Sequence, residues 1–554
     1  MRRNKSGPIA RLASTAVPAW QAEPHNEVRN YFVGFLVLIS VLVKYAISLS
    51  THSGQGSPPM FGDYEAQRHW MEITVHLPTN EWYRNSTNND LQYWGLDYPP
   101  GSAYFAKFFG HVAHNFFDPE WVALHTSRGI ETAASKVFMR LSVICADLVF
   151  YVPAALMFAF SSTLHRSRSW AEKFEGAACL LFNPANLLVD HGHFQYNGVS
   201  LGMAMAAVVA FDKDRPCLAA FLFSCSLNFK QMNLYLALPF FFALLSYSIY
   251  GGFLKRGRKK TSSAASKTSV AVSWWWTIAC LAKIGGTVIA TFALHWLPLC
   301  LFAAPATPES YPADGTCGAG GLDGDGNTCA PVENTCGPIL LGGLKRLFPF
   351  NRGLFEDKVA NIWCSVDPVL KLRNRTSLQP YLPLLATVAT LVLSLPAAFA
   401  LLRRPPTTRT FLYALATTGL AFFMCSFQVH EKSILVPLMP ITLLALEVPS
   451  KSMLFIIVST FSMWPLLQKD GLEIQYIVLM FVWIVLGRVG VSKSQGGWIS
   501  RAVLFGGAAC HALPLLVDPP AHLPHLWVLL LCVYSCALFG LFYLYLVFRM
   551  LREK

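Results

Sequence analysis

Side chains able to move a proton or to hold an anion gather in a few short stretches of this sequence. GDYEAQRHWMEIT, from Gly62 to Thr74, brings together Asp63, Glu65, Arg68, His69, Trp70 and Glu72, and YWGLDYPPGSAY, from Tyr93 to Tyr104, carries Asp97. HGHFQYNG, from His191 to Gly198, offers His193, Gln195 and Tyr196, while NFKQMN, from Asn228 to Asn233, offers Lys230. RLFPFNRGLFEDKVANIW, from Arg346 to Trp363, contains Arg352, and VHEKS, from Val429 to Ser433, contains His430, Glu431 and Lys432. Carboxylates in such a set could serve as bases, and the cations could hold a charged group as it departs. Each residue also has an ordinary structural reading. Asp63 could cap a helix that starts at Tyr64, Glu65 could be a solvated helix residue, and Lys432 could anchor the end of an apolar segment. Asp97 could do no more than begin the turn that Pro99 and Pro100 enforce. His191 and His193 invite a zinc reading, but no third ligand stands at a helical or loop spacing from them.

The elements that would position these groups are apolar. Of 554 residues, 54% are hydrophobic and 14% charged, and the mean hydropathy is +0.41, which points to a membrane as solvent. A net charge of +13 could suggest nucleic acid, but no basic stripe interleaved with aromatics accompanies it; the expected surroundings are membrane lipids, with no nucleic acid partner. A span needs roughly 20 apolar residues. Fourteen runs approach that length: Tyr31 to Leu49, Val137 to Leu164, Gly176 to Val189, Gly198 to Phe211, Cys217 to Leu227, Asn233 to Tyr250, Val270 to Phe302, Tyr381 to Leu402, Thr410 to Phe427, Ile434 to Leu446, Met453 to Leu467, Ile474 to Leu486, Ile499 to Val517 and Leu526 to Phe548. The third to fifth are short, as tilted or broken helices would be.

Lys and Arg cluster in alternate connections, at Arg166, Arg168 and Lys173, at Lys255 to Lys267, at Arg403, Arg404 and Arg409, and in the tail at Arg549, Arg552 and Lys554. That bias predicts a cytosolic N-terminal tail over 1–30, a membrane domain over 31–548 and a cytosolic C-terminal tail over 549–554. Two long loops, about 50–135 and 304–378, then face the lumen. The helix expected at Gly62 to Thr74 sets Glu65, His69 and Glu72 on one face, with Trp70, Met71 and Ile73 apolar, a pattern suited to a short amphipathic helix on the membrane surface. Every polar cluster named above falls on this lumenal side, and a single active site there is the economical explanation. The sequons at Asn85 and Asn374 lie on the same side. Cys317, Cys329, Cys336 and Cys364, in or beside the second loop, are the candidates for one or two disulfides.

GDYEAQRHWMEIT, YWGLDYPP, HFQYNGVSLG, NFKQM, RLFPFNRGLFEDKVANIWC and HEKSIL closely resemble, in order and spacing, the dolichyl-phosphate-glucose-dependent α-1,3-glucosyltransferases of N-glycan precursor assembly, membrane enzymes of the GT-C class. The resemblance runs from about Tyr31 to the spans near Leu486, and the segment from Thr307 to Pro338 departs from it. It implies an all-α polytopic protein of about 14 transmembrane helices, resident in the endoplasmic reticulum membrane. It further implies inverting transfer of glucose from dolichyl-phosphate-glucose to a dolichyl-pyrophosphate-linked oligosaccharide, with no metal or other cofactor. GDYEAQRHWMEIT and YWGLDYPP look more like the member that adds the first glucose to the nine-mannose arm than like its sister that adds the second. Carried onto this chain, the resemblance makes Asp63 the catalytic base. Glu65, Arg68, His69, Trp70 and Asp97 become pocket residues, with His193, Gln195 and Tyr196 also in contact with substrate. Lys432, His430 and Arg352, with Lys230, become the cations for phosphate, and Glu431 stands beside them. The rival from another class is a polytopic lipid or solute transporter, which predicts ionisable residues near span centres; the sequence has few, chiefly Lys44, Arg140, Asp147 and Lys283.

Overall fold

The computed structural model describes residues 25–259, 274–303, 335–348, 358–375, 377–490 and 497–553. Among them the chain is helical throughout, its one extended pairing an isolated bridge between Ser86 and Asn89. Seven helices are long and apolar enough to cross a membrane: Asn26–Ser48, Ala133–Ser161, Gln231–Tyr250, Trp274–Leu301, Gln379–Leu402, Gly497–Leu516 and Leu526–Arg552. The other apolar runs lie on shorter or interrupted helices, including Asn197–Asp212, Pro216–Phe229, Thr408–Cys425 and Pro449–Ser462. The protein is an all-α polytopic membrane protein.

Side-chain size shows how the helices face lipid or one another. On Leu382–Leu402, Leu384, Leu385, Val388, Leu391, Val392, Leu395 and Phe399 point outward, whereas Ala386, Thr390, Ser394, Ala397 and Ala400 are buried. Small residues let neighbouring backbones approach where no hydrophobic force separates helix from lipid. The buried hydroxyls are satisfied within the helix, Thr390 by Ala386 O and Ser394 by Thr390 O, both at 2.7 Å. Thr408–Cys425 is buried almost all round and forms the centre of the bundle, against Leu382–Leu402, Leu435–Leu443 and Leu526–Arg552.

The helices that bear on the site are α1 (Asn26–Ser48), α2 (Gly62–His76), α3 (Pro100–Phe116), α4 (Ala133–Val149), α5 (Asn197–Asp212), α6 (Pro216–Phe229), α7 (Cys336–Leu347) and α8 (Trp464–Lys469). Helix α2 differs from the surface helix expected at Gly62 to Thr74. Every residue from Tyr64 to Thr74 is buried, because α3, the 119–127 segment and α4 enclose it. Tyr64, Trp70, Met71 and Ile73 join Trp82, Phe138, Met139, Val143 and Phe229 in one apolar core that fastens the first polar loop to the membrane helices.

The second polar loop is tied differently from the expected pairing among Cys317, Cys329, Cys336 and Cys364. Cys336 is disulfide-bonded to Cys300, at the end of the preceding helix. Cys317 and Cys329 lie outside the described residues. The bond delivers α7 to the first loop, where Arg346 Nη2 donates to Gly95 O at 3.0 Å. Of the two sequon asparagines, Asn85 is buried, its Oδ1 accepting from Leu91 N at 3.2 Å, and Asn374 is exposed.

Candidate active site

The apolar run Gly176 to Val189 ends abnormally. Pro184 breaks it, and residues Leu187–Phe194 then form a π-helical turn, a rare conformation that recurs at functional sites. The turn closes at Phe194 with φ of +90°, a value that costs a bulky residue strain and persists only where the surroundings hold it. Tyr64 and Tyr196 pack edge-on against this ring, with centroids 4.9 and 5.6 Å away. The strained residue separates His193 from Gln195 and allows both side chains to reach one carboxylate.

Two anchors hold the turn from beneath. Asp190 accepts from Asn197 Nδ2 and Gly198 N, both at 2.7 Å, and so joins the turn to the start of α5. Asp147 of α4 meets Lys44 Nζ and His191 Nε2, each at 2.9 Å, and a Cβ on Gly198 would fall 1.8 Å from Asp147 Oδ1. Arg140 Nη1 donates to His191 O at 2.7 Å and Nη2 to Thr51 O at 2.9 Å. These ionisable residues of the apolar helices are paired and brace a turn.

Asp63 stands opposite. It does not cap α2: Phe61 occupies the cap position in the left-handed conformation, with φ of +53°, and makes no side-chain cap bond. Gly62 follows with φ of +67°, in a place where a Cβ would strike the Ser53 backbone at 2.6 Å. This tight approach puts Asp63 in the first turn of α2 with its carboxylate turned to the π-helical segment. Ser53 links the two sides, its N–H donating to His193 O at 3.0 Å and its Oγ accepting from Asp63 N at 3.2 Å.

Three donors converge on Asp63 Oδ2: His193 Nε2 at 3.0 Å, Gln195 Nε2 at 2.6 Å, and the Lys432 ammonium in direct contact. Among the described residues no donor reaches Oδ1, and the side chain is 23% exposed. Burial would raise this carboxyl, but Lys432 and His193 outweigh it and hold the group well below the usual carboxylate range. Lys432 lies on the short helical turn Glu431–Ile434, entered through Gln428 at φ of +59°; His430 and Glu431 flank it, half-buried. Asp470, absent from every sequence motif named above, places Oδ2 2.5 Å from His193 Nδ1. Its only sequence cue is position, in the Lys469-Asp470-Gly471 turn after α8, at an end of the Met453 to Leu467 run that charge bias assigns to the lumenal side.

Lys230 extends the site. Its Nζ donates to Asn197 Oδ1 at 2.5 Å and Gln195 Oε1 at 3.3 Å and sits 4.9 Å over the Tyr98 ring. Burial, then the charge of Lys432, pulls its pKa down to about 7. Trp70 stacks at a tilt on Tyr98, centroids 4.8 Å apart, and donates to Trp94 O at 2.9 Å. Asp97 is half-buried, and its backbone O accepts from Gln231 at 2.8 Å.

The remaining residues singled out from the sequence turn elsewhere. Arg68 bridges Glu65 at 2.6 Å and Glu72 at 2.7 Å, His69 Nδ1 lies 3.0 Å from Glu72, and Tyr93 OH donates to Glu65 at 2.9 Å. All four members of this ion network are sealed from solvent, and they bond to one another and to Ser127, Trp121 O and His125 N rather than to the Asp63 carboxylate. The Tyr196 hydroxyl pairs with Ser142 of α4 at 2.6 Å. Arg352 lies outside the described residues.

Comparison with known proteins identifies what this arrangement belongs to. A family model described as the ALG6, ALG8 glycosyltransferase family matches residues 37–309 and 335–545. The chain is 37% identical over 543 residues to the "Probable dolichyl pyrophosphate Man9GlcNAc2 alpha-1,3-glucosyltransferase" of Dictyostelium discoideum, covering 93% of this chain and 94% of that one. It is 38% identical to the mouse "Dolichyl pyrophosphate Man9GlcNAc2 alpha-1,3-glucosyltransferase" over 93% of this chain and 95% of that one. The chicken protein of that same name is 42% identical over 80% of this chain and 75% of its own length. The fold is that of a polytopic membrane glycosyltransferase of the GT-C class. The chain belongs to the ALG6, ALG8 family, and its activity is that of an α-1,3-glucosyltransferase.

Proposed function

We propose that this enzyme transfers the first glucose from dolichyl-phosphate-glucose to the dolichyl-pyrophosphate-linked Man9GlcNAc2 oligosaccharide, at the lumenal face of the endoplasmic reticulum membrane. The names of the relatives support the acceptor, and the apolar helices support the membrane setting. Asp63 carries the mechanistic reading, with Oδ2 fixed by three donors and Oδ1 met by none among the described residues. A β-linked donor and an α-linked product require one displacement with inversion. Asp63 takes the proton of the acceptor hydroxyl as its oxygen bonds to the anomeric carbon, and the bond to the phosphate oxygen breaks with its electron pair leaving on dolichyl phosphate.

A phosphate leaves without protonation, so cations suffice to hold it. Lys432 is the nearest, with Lys230 buried behind it; they take the place that a metal would otherwise fill. The contact with Lys432 neutralises Asp63 and weakens it as a base. The donor's phosphate competes for the same ammonium, so donor binding draws one cation off Asp63 and raises its basicity as the acceptor arrives.

Asp63→Asn is the test. The amide keeps the shape and the contact with Gln195 but accepts no proton, so turnover falls roughly 10²–10⁴-fold while donor binding persists. Near-normal turnover would remove Asp63 as the base. Offering acceptors that carry either no glucose or one separates addition of the first glucose from addition of the second.

A further inference from the structure

Asp470 is 6% exposed and held through both its backbone and its side chain. Its backbone O accepts from Thr51 Oγ1, and Gly471, at φ of +70°, turns the chain immediately after it. Its carboxylate faces His193 Nδ1 at 2.5 Å, while Nε2 of the same ring faces Asp63 Oδ2 at 3.0 Å. Lys432 Nζ also lies 3.1 Å from Nε2, so a neutral ring can accept from it while Lys432 rests there; once Lys432 leaves, a neutral imidazole, with one N–H, would set a lone pair against one of these two anions, whereas the imidazolium donates to both. We propose that Asp470 is a positioning residue: through a doubly donating His193 imidazolium it holds Oδ2 of Asp63, so that Oδ1 stays aimed at the acceptor hydroxyl after Lys432 turns to the donor's phosphate.

The inference rests on Asp63 being the base. It explains why so much structure converges on one imidazole: the π-helical turn, the strained Phe194, and the Ser53 bridge all fix the His193 backbone. Once Lys432 has moved, His193 and Gln195 still donate to Oδ2, so the base gains strength without losing its orientation. Among the described residues, the charged and titratable groups around His193 are Asp63 of α2, Asp470 after α8, Lys432 before the Leu435–Leu443 helix, His52 after α1 and Arg140 of α4. Burial and Lys432 pull the imidazole down, and its bonds to Asp470 and Asp63 more than offset them, leaving it above its ordinary value.

The test compares kcat and KM across pH for the purified full-length enzyme and Asp470→Asn, with dolichyl-phosphate-glucose and the lipid-linked acceptor. Asp470→Asn lowers kcat roughly 10²-fold, the cost of a misaimed base, and leaves the donor KM unchanged. Turnover needs the imidazolium, so it declines as pH rises through the His193 titration. Loss of the stabilising anion moves that limb to lower pH, and Asp470→Glu returns it. Lys230 titrates on the same flank but does not contact Asp470, so the displacement between enzyme and variant reports His193. Full turnover in Asp470→Asn, or reduced turnover with the limb unmoved, would overturn the proposal. Should that variant not be recovered folded, His193→Gln decides: turnover falls and the His193 limb disappears, and an unchanged profile overturns the proposal. Near-normal Asp63→Asn turnover would instead remove the underlying base assignment.

Discussion

Asp63, His193, Gln195, Lys432 and Asp470 form a site in which one carboxylate oxygen is held and the other meets no donor among the described residues. An aspartate in the first turn of a helix has the backbone N–H groups as its usual partners. Here the left-handed Phe61 and Gly62 rotate it away from them, which frees the side chain for chemistry. Gly198 is the residue on which the opposite wall depends. Its missing side chain lets Asp147 and Asp190 approach the start of α5 together. Gly198→Ala forces a carbon to within 1.8 Å of Asp147 Oδ1, an overpacking that costs about 1–3 kcal/mol and shifts the π-helical turn. The expected outcome is a lower thermal midpoint together with reduced turnover. A Gly198→Ala enzyme with natural midpoint and rate would show that the turn accommodates the displacement.

Helix α2 shows how an element can carry chemistry at one end and bracing along its length. The spacing of Glu65, His69 and Glu72 was read as the polar face of a surface helix, but α3 and the 119–127 segment cover that face and convert it into a buried ion network. Burial of such groups ties the element's stability to pH. Burial, with help from Arg140, pulls His52 down to about 3, so the folded protein holds it neutral whereas the unfolded chain protonates near 6.5. Its contribution is complete above about pH 6.5 and is lost as pH falls below that value toward 3. Burial raises Glu72, but His69 and Arg68 outweigh it and bring it to about 2, so its contribution is present above about pH 4.5 and is lost between there and about 2. The thermal midpoint is therefore expected to fall in two stages on acidification, and His52→Gln to remove the upper one; a single late stage in the natural enzyme would contradict the His52 assignment.

Over the whole molecule, hydropathy and the distribution of Lys and Arg set the orientation proposed for the enzyme, and glycosylation tests it. Asn374 is exposed and Asn85 is buried with its amide engaged. Asn374→Gln should abolish the mobility shift on deglycosylation while Asn85→Gln leaves it intact; a glycan on neither asparagine would count against a lumenal second loop. The sequence by itself determined the membrane setting, the helical class, the fourteen apolar runs and the motifs that carry the family, because each is written locally, in run length, flanking charge and contiguous residues. Only the tertiary structure decided which side chains meet. Asp63 contacts partners 130, 132 and 369 positions away, and His193 meets Asp470 across 277. The structure also reassigned Glu65, Arg68 and His69 to an internal brace, exchanged the expected disulfide partners of Cys336 for Cys300, and added Asp470, a lone acid in a turn with no periodic signal. Such encounters arise from the packing of helices remote in sequence, and neither hydropathy nor spacing along one segment encodes them.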